Sequence, residues 1–230
     1  MPIDKEYIIR FFGLGINGFG IEYNNNIYLT KVLSFGQLGS CFTILDYAFD
    51  GCNDLISVPE YLPSTILTMS YMFRECLIFN QKLEWNTFNV TNMKGMFMEC
   101  INFNQKLNWN TSNVTNMSYM FIDCTNFNQN LNWDTSNVTD MKYIFYLCNN
   151  FNQNLNWDTS NVNDMRNMFY GCINFNQNLN WDTSNVNDMR YMFYGCTSFN
   201  QNLNWDISNV TDIYNIYENC NISEENKLKF

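Results

Sequence analysis

Two patterns of apolar and polar positions alternate along the chain, and the pair recurs every 24 residues. In the first, large apolar residues stand at i, i+3, i+4 and i+7, as at Met141, Ile144, Phe145 and Cys148. That is the stripe of a short amphipathic helix. Asp140 precedes it, and Asn92, Asn116, Asp164, Asp188 and Asp212 hold the same slot. All are residues that cap a helix by accepting from its first N–H groups. Gly171 and Gly195 fall in the last turn, where the helix should end. In the second pattern, Phe151-Asn152-Gln153-Asn154-Leu155-Asn156-Trp157 alternates at period two, which reads as a short strand. Asp158-Thr159-Ser160-Asn161 reads as a turn whose side chains bond their own backbone. Strand, turn and helix make one coil. No coil buries its apolar side alone, so the array folds only as a stack, with strands parallel at about 4.8 Å.

The step is kept without insertion. Trp85, Trp109, Trp133, Trp157, Trp181 and Trp205 are each 24 residues apart, as are Cys52, Cys76, Cys100, Cys124, Cys148, Cys172, Cys196 and Cys220. The units Asn149–Cys172 and Ile173–Cys196 differ only at Asn149 against Ile173 and Asn167 against Tyr191. The predicted fold class is therefore an α/β repeat: a right-handed solenoid of about eight coils over residues 41–220. Residues 1–40 lie outside the clean register. Tyr7–Phe12, Gly20–Tyr23 and Asn26–Thr30 read as short strands separated by Gly13, Gly15, Gly18 and an Asn run. An array exposes backbone and apolar surface at its ends, so this segment is expected to cap it. Residues 221–230, which turn polar, are expected to close the other end.

Composition narrows the function classes. The formal net charge is -10, from 12 basic and 22 acidic residues. That balance opposes binding to nucleic acid, which runs on Lys and Arg contacts to phosphate. It also supplies no basic patch for an anionic membrane. There is no His, which removes the commonest general base and metal ligand. Apolar residues make up 46% of the chain, enough for a continuous core, yet no run is long enough for a spanning helix. The start, Met1-Pro2-Ile3-Asp4-Lys5-Glu6, lacks a charged stretch followed by an apolar one, so export by a standard signal is not expected.

The motif F-N-Q-N-L-N-W-D-T-S-N-V-x-D-M-x-x-M-F-Y-G-C resembles the repeat of bacterial surface proteins and of mycoplasma and Listeria lipoproteins, grouped with the BspA-like leucine-rich repeats. Leu45–Pro59 resembles the more usual BspA-like form, and the likeness spans about residues 33 to 220. It implies a leucine-rich-repeat-type solenoid and a role in attachment or protein interaction at a cell surface. Similar arrays occur in protists and large DNA viruses.

Each repeated column admits a structural and a chemical reading. The cysteines, Cys76, Cys100, Cys124, Cys148, Cys172 and Cys196 among them, end the apolar stripe, as buried reduced thiols would. Stacked about one coil apart, they also stand within reach of pairwise disulfides, or of a metal ladder, though no CxxC pair supports zinc. Reduced thiols favour a reducing compartment such as a cytoplasm, against the surface location the resemblance implies. The tryptophans, including Trp109, Trp133, Trp157 and Trp181, either close the corner between strand and turn or form an exposed stripe that stacks sugars. Asn161 and its equivalents form a ladder expected in the interior, and their sequons are dictated by the repeat. Asp134, Asp158, Asp182 and Asp206 cap turns or weakly bind calcium.

Enzymatic activity is not expected. A catalytic site needs unlike groups in one cleft, whereas most positions here are copied coil after coil. No phosphate loop, nucleophile elbow or metal motif occurs, and no cofactor is implied. What varies between coils is either a recognition surface or an ordinary solvated face with aromatic cover: Lys142, Tyr143, Tyr146, Arg166, Tyr170, Arg190, Tyr191 and Tyr194, on the predicted outer side of the helix. Tyr and Arg are enriched at binding hot spots. The expected function is a repeat scaffold for protein interaction or attachment; the alternative is a glycan-binding adhesin that uses the Trp and Asn columns.

Overall fold

The computed structural model describes residues 29–36 and 42–228. Among them the chain winds into coils of 24 residues, joined by parallel bridges from Ile44 to Thr68, Asn92, Asn116, Asp140, Asp164, Asp188 and Asp212. The expected array is therefore present, but its coils are not built as expected. No helix and no extended strand forms among the described residues, so the α/β solenoid with a strand and a helix in each coil is corrected. The strands expected at Tyr7–Phe12 and Gly20–Tyr23, and most of the expected cap, lie outside the described residues.

The limb expected to be helical is a run of consecutive turns. Ile144, Tyr146 and Cys148 donate N–H to the carbonyls of Met141, Tyr143 and Phe145, three residues back. The residues between them donate forward to the next coil: Tyr143 to the Arg166 carbonyl at 3.0 Å, Phe145 to Met168 at 3.0 Å and Leu147 to Tyr170 at 2.7 Å. This alternation requires a positive φ at the third position of two turns per coil, the mark of a type II turn. Tyr143 and Leu147 adopt it at 58°, and Asn167, Gly171, Tyr191, Gly195, Asn215 and Asn219 occupy the same two columns. A residue with a Cβ costs about 1–2 kcal/mol there. The forward hydrogen bonds and the buried rings on either side hold it. A left-handed kink every four residues leaves Met141, Ile144, Phe145 and Cys148 inside, all fully buried, so the stripe is shared with a helix although the backbone is not.

Asp140 keeps its capping chemistry in a different setting. Its carboxylate accepts from the N–H of Lys142 two residues on, an Asx turn that starts the limb. Asp164, Asp188 and Asp212 do the same for Arg166, Arg190 and Tyr214.

The other limb shows the expected period two in burial, with Phe151, Leu155 and Trp157 inside. It forms no backbone ladder, and side chains join the coils instead. Each indole N–H donates to a carbonyl of the preceding coil, as Trp157 does to Leu131 at 3.1 Å. Asn128 accepts through Oδ1 both the N–H of Asn152 and the amide of Gln153. Thr159, buried, donates its hydroxyl to the Asp182 carbonyl.

Rings stacked one coil apart measure how the coils fan. The tryptophan rings stand 6.0–6.4 Å apart, as Trp133–Trp157 at 6.2 Å and Trp157–Trp181 at 6.4 Å. The Phe121–Phe145 step is 5.7 Å. On the opposite side, Tyr146–Tyr170 and Tyr170–Tyr194 close to 4.6 Å. Coils are tightest where their backbones hydrogen-bond, so the turn limb is the concave side and the tryptophan limb the convex one.

Gly95 shows how finely the tight side is fitted. Its φ is 59°, and a Cβ added there would stand 2.2 Å from Cε1 of Tyr71. Gly95→Ala is expected to lose more in denaturant unfolding than the about 1–2 kcal/mol that a left-handed backbone costs, because the Tyr71 ring must also move. Made in a Tyr71→Ala background, the same change should cost only the backbone part.

Candidate interaction surface

The columns first in doubt chemically lie inside. Among the described residues all eight cysteines are free, and all but Cys220 are buried. Each thiol from Cys76 onward donates to a phenylalanine carbonyl of the preceding coil, as Cys148 does to Phe121 at 2.9 Å and Cys172 to Phe145 at 3.0 Å. Burial pushes the Cys52 thiol up to about 12 and Cys76, Cys100, Cys124, Cys148, Cys172 and Cys196 well above the ordinary thiol range. From Cys52 to Cys196 the column presents protonated sulfur, whereas at the half-buried Cys220 a hydrogen bond with the Cys196 thiol lowers the pKa. Trp109, Trp133, Trp157 and Trp181 are only 4–6% exposed, so the indoles offer no face to a sugar.

Asp134 caps its turn: the Ser136 hydroxyl and N–H donate to it and hold its carboxyl below the usual range. Asn161 lies at the surface rather than in the interior, and its amide donates to the Ser136 carbonyl of the coil before at 2.7 Å. The ladder does satisfy turn backbone, but from outside.

The eight residues singled out from variation between coils come together on the concave side. Tyr143 stacks on Tyr119 at 5.1 Å and meets Tyr146 at 5.6 Å. Tyr146, Tyr170 and Tyr194 form a continuous stack, and Tyr191 meets Tyr194 edge-on at 5.9 Å. The left-handed backbone at Tyr143 and Tyr191 turns these side chains outward, all half-buried.

Beside the rings runs an ion ladder. Lys142 bonds Asp140 at 2.5 Å; Arg166 lies 3.3 Å from Asp164 and 3.6 Å from Asp188. Arg190 joins Asp188 at 2.6 Å and Asp212 at 3.3 Å. Burial works against the Asp188 carboxylate, but the hydrogen bonds and charge of Arg190 outweigh it and hold its pKa down. Burial raises the Asp164 carboxyl. The bases are thus largely neutralised in place, and the surface they border is aromatic rather than basic.

Three residues that the pattern of variation did not single out extend this face. Glu75, Glu99 and Asp123 occupy the second left-handed column, the one held later by Leu147, Gly171 and Gly195. Burial raises the carboxyls of Glu99 and Asp123, and Glu75 and Asp123 raise Glu99 further. The sequence signal was present: the column that includes Gly171 and Gly195 turns acidic toward the N-terminal coils.

A family model for a Mycoplasma protein of unknown function, DUF285, matches residues 43–156 and again 131–230. No curated protein and no solved structure matches the chain. The family match is compatible with a BspA-like repeat and does not by itself establish that finer kinship. The two matched spans cover most of the chain and run through every stacked tryptophan, so the chain belongs to the DUF285 family of Mycoplasma proteins of unknown function.

Proposed function

We propose that the protein is a non-enzymatic repeat scaffold whose concave face binds another protein. One observation carries this reading. The buried columns of Phe, Cys, Leu and Trp are copied from coil to coil, while unlike residues gather on the concave side, with tyrosines stacked at 4.6 Å. Half-buried Tyr beside ion-paired Arg has the composition of a binding hot spot. The buried, protonated thiols and locally satisfied Asp turns leave these columns little catalytic chemistry. The sugar-binding alternative loses its stacking surface because the indoles are inside.

A photo-crosslinking residue placed at Tyr170, and separately at Asn156 on the convex limb, tests the reading in extract of the source organism. Discrete protein adducts are expected from position 170 and not from 156. Equal labelling at both positions, or adducts only from 156, would overturn it.

A further inference from the structure

The concave face has a pitch and a charge pattern that together define one kind of occupant. Its C-terminal half is the ridge Tyr146, Tyr170, Tyr194, and beside that ridge lie Gly171 and Gly195. At Gly195 a Cβ would meet nothing closer than 3.7 Å, so beside Tyr194 the ridge is flanked by open backbone, whereas at Gly171 a Cβ would stand 2.5 Å from Cδ2 of Leu147, whose side chain lines the furrow there. Toward the N-terminal coils the furrow is occupied by Asp123, Glu99 and Glu75. Arg74 is committed to Asp50 by two hydrogen bonds and reaches Glu75 at 3.7 Å. Among the described residues, no cation pairs with Glu99 or Asp123.

Two rungs of the tyrosine ridge, at 4.6 Å each, span about 9.2 Å. A polyproline II helix rises about 3.1 Å per residue with three residues per turn, about 9.3 Å per turn. A ligand lying along the ridge in that conformation therefore repeats in step with every second coil. An extended strand repeats its side chains at about 6.6 Å and falls out of step after one rung. Prolines pack on aromatic side chains, and their conformation is already ordered before binding. Arg residues three apart in such a helix project from one edge one turn apart, and Glu75 and Asp123 are separated by two coils.

We propose that the concave face is a docking groove for a basic, proline-rich segment in the polyproline II conformation, prolines on Tyr146, Tyr170 and Tyr194 and Arg or Lys on Glu75, Glu99 and Asp123. From Glu75 to Gly195 is five coil steps, about 24 Å, which accommodates roughly eight residues of such a segment. The assignment rests on the scaffold reading and specifies its partner.

The test is fluorescence anisotropy with a labelled peptide, Arg-Pro-Pro-Arg followed by five prolines, at low salt on the full chain. One control peptide has every Pro replaced by Gly, which keeps the charge and loses the helix. A second has both Arg replaced by Gln. The expected result is saturable binding that weakens at least tenfold with the Gly peptide and with Tyr170→Ala. It should also weaken severalfold with the Gln peptide and with Glu99→Gln combined with Asp123→Asn. Asn156→Ala on the convex limb should change nothing, and melting temperatures identify any variant that fails to fold. Equal binding of the Pro and Gly peptides would reduce the effect to charge alone and overturn the proposal. Indifference to Tyr170→Ala, or no saturable binding up to 1 mM peptide, would overturn it as well. In those cases protein adducts at position 170 would leave the scaffold reading standing with a partner of another kind.

Discussion

Replacing Phe145 by alanine is expected to remove about 3–5 kcal/mol of stability, the cost of truncating a buried phenylalanine. Phe145 is fully buried and stacks on Phe121 at 5.7 Å, Phe151 at 4.0 Å, Trp157 at 5.8 Å and Phe169 at 5.7 Å. It joins the core of its own coil to the coils on both sides. In a repeat array, stability is a sum of coil terms and neighbour terms. A cavity at this crossing should therefore weaken two interfaces at once and divide the array near its middle. Denaturant unfolding should show a lower midpoint and a broadened or split transition. Phe145→Leu, which keeps most of the volume, should cost less than about 1.5 kcal/mol. A loss below about 1 kcal/mol for the alanine variant would contradict the interior placement of the ring.

The second large effect concerns alkaline pH. In the folded chain burial raises the thiols of Cys52, Cys76, Cys100, Cys124, Cys148, Cys172 and Cys196 above their ordinary value of 9.0. Below pH 9 both folded and unfolded states keep these protons, so the thiols do not make stability depend on pH. Above it the unfolded chain releases protons that the folded chain retains, and stability falls as pH rises toward the folded values. Each thiol removes about 1.4 kcal/mol per pH unit in that window. Acting together, seven such groups exceed the stability of an ordinary domain within about one unit. Cooperative unfolding is therefore expected between roughly pH 9.5 and 10.5 under reducing conditions. The double variant Cys124→Ala, Cys148→Ala should shift it upward and lower the proton release on unfolding by about two. Circular dichroism against pH measures the first, and the pH slope of urea unfolding the second. A chain that stays folded to pH 11.5 would show that the thiol column does not control alkaline stability.

The period, the register and the buried columns were legible because stacking forces like residues into like environments. The inward placement of Phe151 follows from its spacing, while for Trp157 and Cys148 the spacing left a buried and a chemical reading side by side, and only the fold places both inside. What the stripe at Met141, Ile144, Phe145 and Cys148 could not distinguish is a helix from a run of turns with a kink every four residues, because both bury the same positions. The discriminating signs were subtler. The chain contains a single alanine, Ala48, the residue helices most favour. Glycine, asparagine and aspartate also recur in two columns four residues apart: Gly95, Asn167 and Asn215 in one, Gly51, Asp123, Gly171, Gly195 and Asn219 in the other. Those residue types tolerate the left-handed region. The alternating limb was misread for the converse reason. Its side chains alternate as in a strand, but Trp indoles, Asn amides and Thr hydroxyls replace the backbone ladder that defines one. The residues proposed for recognition were singled out by their variation, and their union on one face follows from the coil length alone. That the face is concave depends on which limb is spaced more tightly, and no spacing in the sequence encodes that.

The forward hydrogen bonds of the turn limb also have an electrical result. In each coil Met141, Tyr143, Phe145 and Leu147, or their equivalents, direct N–H toward the C-terminal neighbour, while on the other limb Asn152, Gln153, Trp157 and Asn161 donate back to the coil before. Along the turn limb the forward bonds add from coil to coil, much as peptide units add along an α-helix. The turn limb is thereby polarised, with its positive pole at the last coil and its negative pole at the first. Asp212, Glu218, Glu224 and Glu225 gather around that positive pole, where negative charge is favoured. Lengthening the protein by whole 24-residue units would strengthen this polarity without changing a single internal contact.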